Sequence, residues 1–324
     1  MKEVIMKILL IACCGFGDSS WTTSWPRLFV EKGYEVDMFL MKYTGNPFHA
    51  NPYVGKIFVE MAMEASKKIR GVIENSFYDY ILIPNSTCGG VKEVIEATKD
   101  MDNVHLFQGA GVSQIIKGVE IPPLTKPEWY FTEKEFKYIE NLKMMNSILI
   151  HPLSSDVKEE SRNMNFDLVI ECSKKLEGVI VVYGGRKFLP IDDLKRMEDA
   201  GVRLLWEDYN CFNDESGTAL GKFFALVSQC RAGVHGWSGS FTLSMGYNKP
   251  YVMVVPGYGI RANGSAPYVE TNFLYKQGMQ RAETYNCLNP SIWSITDKAD
   301  IIVEAVNHAL TGKTGTYDKK WEFI

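Results

Sequence analysis

No stretch of the 324-residue chain approaches the ~20 consecutive apolar residues that a membrane-crossing helix requires, so no membrane span is expected. An excess of positive charge is also missing. The formal net charge is −4 at pH 7, which makes nucleic acid or an anionic membrane a poor default partner. Cysteine occurs seven times, an odd number, and never as a C-x-x-C pair. That excludes a disulfide framework and the common zinc spacings, and leaves small buried hydrophobes in a reducing compartment. There is no G-x-x-x-x-G-K-[ST] phosphate loop, no G-x-S-x-G elbow and no H-E-x-x-H pair. The opening Lys2, Lys7 and the run Ile8–Cys13 have the outline of a lipoprotein leader. The apolar run ends at Cys14, at the short limit of the ~7–15 residues of such a segment, and Glu3 interrupts its basic part. A buried strand explains it better, and a cytoplasmic protein is expected.

What the chain does have is globular composition, with 46% hydrophobic and 23% charged residues, enough for two cores. Short apolar runs alternate with amphipathic stretches. Ile5–Cys13, Tyr34–Met41, Tyr80–Pro84 and Val104–Phe107 read as strands; the segments around Met61–Glu74 and Val91–Thr98 read as helices. A helix is expected to start after Asp18 or Ser19 and to carry Trp21, Trp25, Leu28 and Phe29 on one stripe. The run Ile121–Pro127 breaks this pattern, a charged helix follows, and the alternation restarts at Ser147. Continuous apolar runs of this kind belong to parallel strands covered on both faces. The expected fold class is therefore α/β, with two Rossmann-like, doubly wound parallel sheets facing a central cleft. The expected domains are residues 1–143, residues 144–306, and a tail, 307–324, returning to the first domain.

Ligands of doubly wound sheets bind outside the carboxyl ends of the strands. Four loops are placed there. The first is Gly15-Phe16-Gly17-Asp18-Ser19-Ser20, where glycines allow close backbone approach. Asp18 is either a general base or the N-cap of the next helix. Because Ser20 stands where a dinucleotide fingerprint has glycine, nicotinamide binding is the weaker reading of this loop, although Glu35 and Asp37 lie at a suitable distance for a ribose acid. The second loop, His151–Lys158, offers Ser154, Ser155 and Lys158 to a diphosphate, or is a solvated polar loop. The third contains Gly184 and Gly185. The fourth, Gly236–Thr242, can cradle a phosphate on the amides of Ser238, Gly239 and Ser240, or is a tight packing turn. Neither His151 nor His235 has a metal-ligand partner at the usual spacing, so no metal site is expected.

Taken together, these loops resemble the ADP-heptose:lipopolysaccharide heptosyltransferase family, over most of the chain. The similar segments are Lys7–Ile11 with Gly15–Asp18 and Trp25-Pro26-Arg27-Leu28; Ile148–Ser155 with Lys158 and Phe166; Val179–Gly185; and Phe224–Cys230 with Gly236–Ser240 and Lys249-Pro250. The resemblance implies a GT-B fold and an inverting, metal-independent glycosyltransferase. It implies Asp18 as general base, with Gly15, Gly17 and Ser19 on the acceptor-side loop. It also implies a sugar-donor site of Ser154, Ser155, Lys158, Gly184, Gly185, Ser238, Gly239, Ser240 and Thr242. No cofactor is implied, the nucleotide-sugar being a co-substrate. The acceptor is a hydroxyl, first of all on a glycan, with nucleic acid left open. Two positions depart from the family: Trp237 stands where it has Asp, and Thr242 where it has His. The alternatives are a binding protein that has lost turnover, and an NAD-dependent oxidoreductase.

Overall fold

The computed structural model describes residues 5–12, 19–42, 46–85, 90–107, 114–123, 125–152, 164–182, 191–204, 217–236, 239–255, 291–295 and 298–311. The chain divides into two compact units, Met1–Trp129 and Tyr130–Ile324.

The first unit is built on five parallel strands: β1 (Lys7–Ala12), β2 (Glu35–Lys42), β3 (Ile57–Met61), β4 (Tyr80–Pro84) and β5 (Val104–Phe107), in the order β3-β2-β1-β4-β5. Side chains alternate across a strand, and both faces of β1 are dry. Ile8, Leu10 and Ala12 join a core with Trp25, Phe29, Phe48 and Phe107, beneath helix α1 (Trp25–Val30). Leu9 and Ile11 join a second core with Ala65, Ile69, Val91 and Val94, from helices α2 (Ala62–Glu74) and α3 (Val91–Thr98). Hairpin β6 (Gln114–Ile116)–β7 (Val119–Ile121) turns at Lys117 and Gly118, both at positive φ, and adds Val119 and Ile121 to the first core. Residues 19–24 are the departure from expectation. They are not one continuous helix with α1, because Thr22 and Thr23 turn their hydroxyls back on the carbonyls of Ser19 (2.9 Å) and Ser20 (2.7 Å), and the helix proper begins at Trp25 with Pro26 in its first turn.

The second unit carries six parallel strands: β8 (Ile148–His151), β9 (Val179–Val181), β10 (Arg203–Leu204), β11 (Ala232–His235), β12 (Tyr251–Val255) and β13 (Ser291–Ile295), in the order β10-β9-β8-β11-β12-β13. Ile148, Ile150, Val234, Val252 and Val254 bury one face with helices α5 (Phe166–Lys175), α6 (Ile191–Asp199) and α9 (Ala299–Leu310). The alternate residues Leu149, His151, His235, Tyr251 and Met253 are buried as well, on the side of α7 (Ala219–Gln229) and α8 (Phe241–Gly246). Ala309, inside the span expected as a returning tail, is part of this unit's core; residues 312–324 lie outside the described residues.

Helix α4 (Glu133–Asn141) explains why the division falls ahead of the restart of alternation. Glu135 is fully buried at the N-termini of two helices at once. Its Oε2 accepts from Thr132 N (2.7 Å) in a capping box on α4; its Oε1 accepts from Thr218 N (2.7 Å) and Thr218 Oγ1 (2.9 Å), and Thr218 caps α7 through Gly221 N. Both helix dipoles favour a carboxylate there. A Cβ at Gly217 or Gly221 would overlap the Glu135 side chain, so both glycines are needed for the approach.

Two substitutions in helices separate this constraint from helix propensity. Gly71, inside α2, has nothing within 4 Å of the place a Cβ would take, and Gly71→Ala is expected to stabilise by about 1 kcal/mol. Gly221→Ala is expected to cost about 2 kcal/mol or more, by displacing a buried carboxylate. Urea unfolding midpoints of the two variants check both signs; equal shifts would show that Glu135 is not a fixed point of the unit.

Candidate functional site

In each unit the strand order reverses beside the first strand, between β1 and β4 in one and between β8 and β11 in the other. That reversal opens the crevice in which doubly wound sheets bind ligands. The loop after β1 bears Gly15, Gly17 and Asp18; the loops after β8 and β11 begin at Pro152 and Gly236. Gly15, Gly17, Asp18, Ser154, Ser155, Lys158, Gly184, Gly185 and Ser238 lie outside the described residues. Ser19, Gly239, Ser240 and Thr242 are described.

Ser19 is buried, 3% exposed, and its carbonyl accepts from Thr22 N and Oγ1. The segment that follows is tightly anchored. Thr23 Oγ1 accepts from Glu128 N (2.9 Å), Asn51 Nδ2 donates to Thr23 O (3.2 Å), and Arg27 pairs with Glu128 (2.8 Å). Trp21 and Trp25 are buried, and Trp25 packs on Phe29 and Phe107, so both belong to the core rather than to a sugar-stacking surface.

The fourth loop is held from beneath. Gly236 N donates to His151 O (3.0 Å), which ties the end of β11 to the end of β8. Thr242 is fully buried and its Oγ1 donates to Gly239 O (2.5 Å). Ser240 Oγ lies 3.1 Å from His235 Nδ1, and Ser244 Oγ lies 2.8 Å from His235 Nε2. His235 and His151 are register partners on adjacent strands, with ring centroids 6.5 Å apart. His151 stacks on Phe223 of α7 at 5.4 Å, and its Nδ1 has no hydrogen-bond partner among the described residues.

Burial decides the charge of both imidazoles. Desolvation pushes His151 down to about 4, and pushes His235 well below the ordinary histidine range, with His151 adding a smaller push. Both are neutral at pH 7. In the sequence each histidine stands isolated. What spacing does not reveal is that they end adjacent strands on the same face; the available signal is that His151 and His235 both close the apolar runs flanking the strand-order reversal.

The residues that kept nicotinamide binding open are placed elsewhere. Glu35 and Asp37 sit at the amino end of β2, paired with Lys7 and Leu9 at the start of β1. Asp37 is buried, and takes an ion pair from Lys7 Nζ (2.8 Å) and hydrogen bonds from Tyr78 OH (2.9 Å) and Lys56 N (2.7 Å). A ribose acid belongs at the opposite, carboxyl end of that strand.

This arrangement can be set against known structures. The chain is similar to Escherichia coli ADP-heptose lipopolysaccharide heptosyltransferase II, at 15% identity over 96% of this chain and 100% of that one, with a TM-score of 0.62. It is also similar to a glycosyl transferase family 9 protein from Veillonella parvula, at 10% identity over 96% and 99% of the two chains, with a TM-score of 0.57. No protein-family model matches the chain, and no curated protein matches its sequence. At these identities the likeness is one of fold. It shows an α/β chain of two Rossmann-like domains, the GT-B fold of glycosyltransferases.

A neutral buried histidine binds no proton in the folded state but titrates near 6.5 once unfolded, so its stabilising contribution is present above that pH and is lost as pH falls toward the folded value. For His151, with a folded value of about 4, the loss between pH 7.5 and pH 5 is about 2 kcal/mol. Urea unfolding at the two pH values is expected to show that difference shrinking in His151→Phe, which keeps the stack on Phe223. An unchanged pH dependence in the variant would mean that His151 is protonated, or hydrated, in the folded protein.

Proposed function

We propose that this chain is a glycosyltransferase that moves a sugar from a nucleotide-diphosphate donor to a hydroxyl acceptor, with inversion and without a metal ion. The observation that carries the reading is the coincidence of three candidate loops with the two strand-order reversals of a GT-B fold. The loop with Asp18 follows the central strand of the first sheet; the loops with Ser154, Ser155 and Lys158, and with Ser238, Gly239 and Ser240, follow the two strands flanking the reversal of the second. The acceptor is assigned to the first unit and the sugar donor to the second. A glycan is the preferred acceptor class, in keeping with the heptosyltransferase that shares the fold. A cytoplasmic location accords with the buried, unpaired thiols of Cys172 and Cys230, and among the described residues no helix is long and apolar enough to cross a membrane.

In the chemistry proposed, the acceptor oxygen attacks the anomeric carbon from the face opposite the leaving diphosphate. Asp18 takes the hydroxyl proton. Lys158, the two serines and the amides of the fourth loop stabilise the negative charge that gathers on the diphosphate. The second reading is a nucleotide-sugar-binding protein without turnover, and Thr242 favours it, because its buried hydroxyl is turned onto Gly239 O at a position where the resembled family has a histidine.

Turnover separates the two. With a panel of nucleotide-sugars and an oligosaccharide acceptor, Asp18→Asn is expected to lower turnover ~10²–10⁴-fold while leaving nucleotide affinity nearly intact. Wild-type turnover in that variant would return Asp18 to a capping role. Lys158→Ala is expected to weaken binding of the nucleotide-sugar about 10-fold or more, the worth of a hydrogen bond to a charged group, and a chelator is expected to change neither rate nor affinity. Activity abolished by the chelator would overturn the metal-independent mechanism.

A further inference from the structure

We propose that His151 is a ligand-contacting residue of the sugar-donor site: its Nδ1 gives a hydrogen bond to a phosphate oxygen of the bound nucleotide. This rests on the nucleotide-sugar reading above and adds a residue to that site.

The argument begins with a missing partner. His151 Nδ1 is buried and has no hydrogen-bond partner among the described residues. Buried polar atoms are nearly always paired, and leaving one unpaired is costly. The ring's own carbonyl pulls weakly toward a proton on it but forms no hydrogen bond with it, and accepts instead from Gly236 N (3.0 Å). A trapped water would need two or more polar partners. The described neighbours do not supply them. The ring stacks on Phe223 at 5.4 Å, and the adjacent His235 has each nitrogen in contact with a serine, Ser240 at 3.1 Å and Ser244 at 2.8 Å. Two other buried atoms lack a partner for plainer reasons. Trp25 Nε1 lies in the core of the first unit against Phe29 and Phe107, and Arg231 Nε, at the amino end of β11, belongs to a guanidinium that donates to Glu177 O (2.7 Å).

Position decides what kind of partner is missing. His151 closes β8 and its register partner His235 closes β11, so the ring stands at the strand-order reversal where doubly wound sheets take up ligands. Leu149 and Ile150 before it are 0% exposed and His151 is 6% exposed, so the shielding of β8 first opens at this residue. The chain runs on from His151 to Ser154, Ser155 and Lys158, and from His235 to Ser238 and Gly239, the residues assigned above to phosphate. Burial keeps the imidazole uncharged at pH 7, with one N–H and one bare nitrogen, and no described partner commits the proton to either. A phosphate offers acceptors only, so Nδ1 carries the proton when the nucleotide is bound. Such a group adds direction to the site, the charge being left to Lys158.

Two substitutions that separate the hydrogen bond from the stack test this. Binding of ADP, GDP, UDP and CDP to the full chain is measured by titration calorimetry at pH 7.5, with the thermal midpoint of each variant recorded without ligand. His151→Phe keeps the stack on Phe223 and removes the hydrogen bond. It is expected to bind the preferred diphosphate about 10-fold more weakly, with a thermal midpoint no lower than wild type because the unpaired nitrogen is gone. His151→Asn keeps an N–H close to the place of Nδ1 and loses the stack. Its midpoint is expected to fall while diphosphate affinity stays within about 3-fold of wild type. A packing role cannot order the two variants oppositely in the two measurements. Unchanged affinity in the Phe variant, or affinity that falls only together with the midpoint, would overturn the proposal. If the Asn variant does not fold, the Phe variant decides alone. A loss of the same size for the matching nucleoside, followed by ligand-observed NMR, would place the contact off the phosphate and overturn the assignment. A wild-type protein that binds none of the four diphosphates overturns the nucleotide-sugar reading itself; one that binds while the variants miss this pattern overturns the role of His151 alone.

Discussion

A parallel sheet covered by helices on both faces has no wet side, and the rest of this molecule follows from that constraint. Strand residues on either face must be apolar or fully partnered. β1 meets the demand with an unbroken apolar run, Ile8 to Ala12, divided between two cores. Polar chemistry is then left to the strand ends, and the two ends of each sheet are treated differently. At the amino end of the first sheet, Asp37 is closed in by Lys7, Tyr78 and the amide of Lys56, with Gly55 lacking the Cβ that would meet its Oδ1 at 2.8 Å. Burial and the hydrogen bond to Asp37 push the Tyr78 phenol far up, so it stays a hydrogen-bond donor to Asp37 across the neutral range. An end so completely satisfied is a structural plug. The opposite end runs into glycine- and serine-rich loops.

The second unit shows the same constraint answered differently. Its polar core residues are gathered on one side, under α7 and α8. Glu135 anchors α4 and α7 at their N-termini, Lys222 lies buried with its ammonium 4.2 Å over the Tyr138 ring, and His151 and His235 are buried at the ends of β8 and β11. A buried carboxylate contributes little net stability on average, because desolvation offsets its hydrogen bonds, but removing its partners is costly. Here the shared carboxylate ties the N-terminus of α7 to that of α4, and α7 carries Phe223 against His151.

The alternation of the two halves is legible in the sequence because parallel strands covered on both faces read as continuous apolar runs. Strands β1, β2, β4, β5, β8, β9, β11 and β12 all announce themselves in this way. Three kinds of element do not. β3 is absorbed into the helix that follows it, since Ile57–Met61 runs directly into Ala62–Glu74 without a glycine or proline between them. The β6–β7 hairpin has three-residue strands, too short for a periodic signal, and its turn uses Lys117 at positive φ. β13 follows the Gly-, Tyr- and Asn-rich sequence 256–290, which lies outside the described residues and gives no strand pattern, although β13 pairs in register with β12 over five residues. The placement of the division at Tyr130 is hidden for another reason. A capping box at Thr132 is readable locally, but the contact of Glu135 with Thr218, 83 residues away, is not.

The site is legible at the level of loops and much less at the level of atoms. Asp37 is a reasonable ribose acid by distance along the chain, but spacing does not say which end of a strand a carboxylate occupies, and in this sheet it is the amino end. The fourth loop shows the converse. Thr242 stands where the resembled family has a histidine, and in the structure it is fully enclosed, its hydroxyl on Gly239 O. The histidine of this turn is instead at 235, on the strand, where it reaches Ser240 and Ser244 from below. The hydroxyls of Ser240 and Ser244 are thus tied to a buried ring on β11, while that of Thr242 is tied to the backbone of its own turn, and neither tie is visible in spacing along the chain.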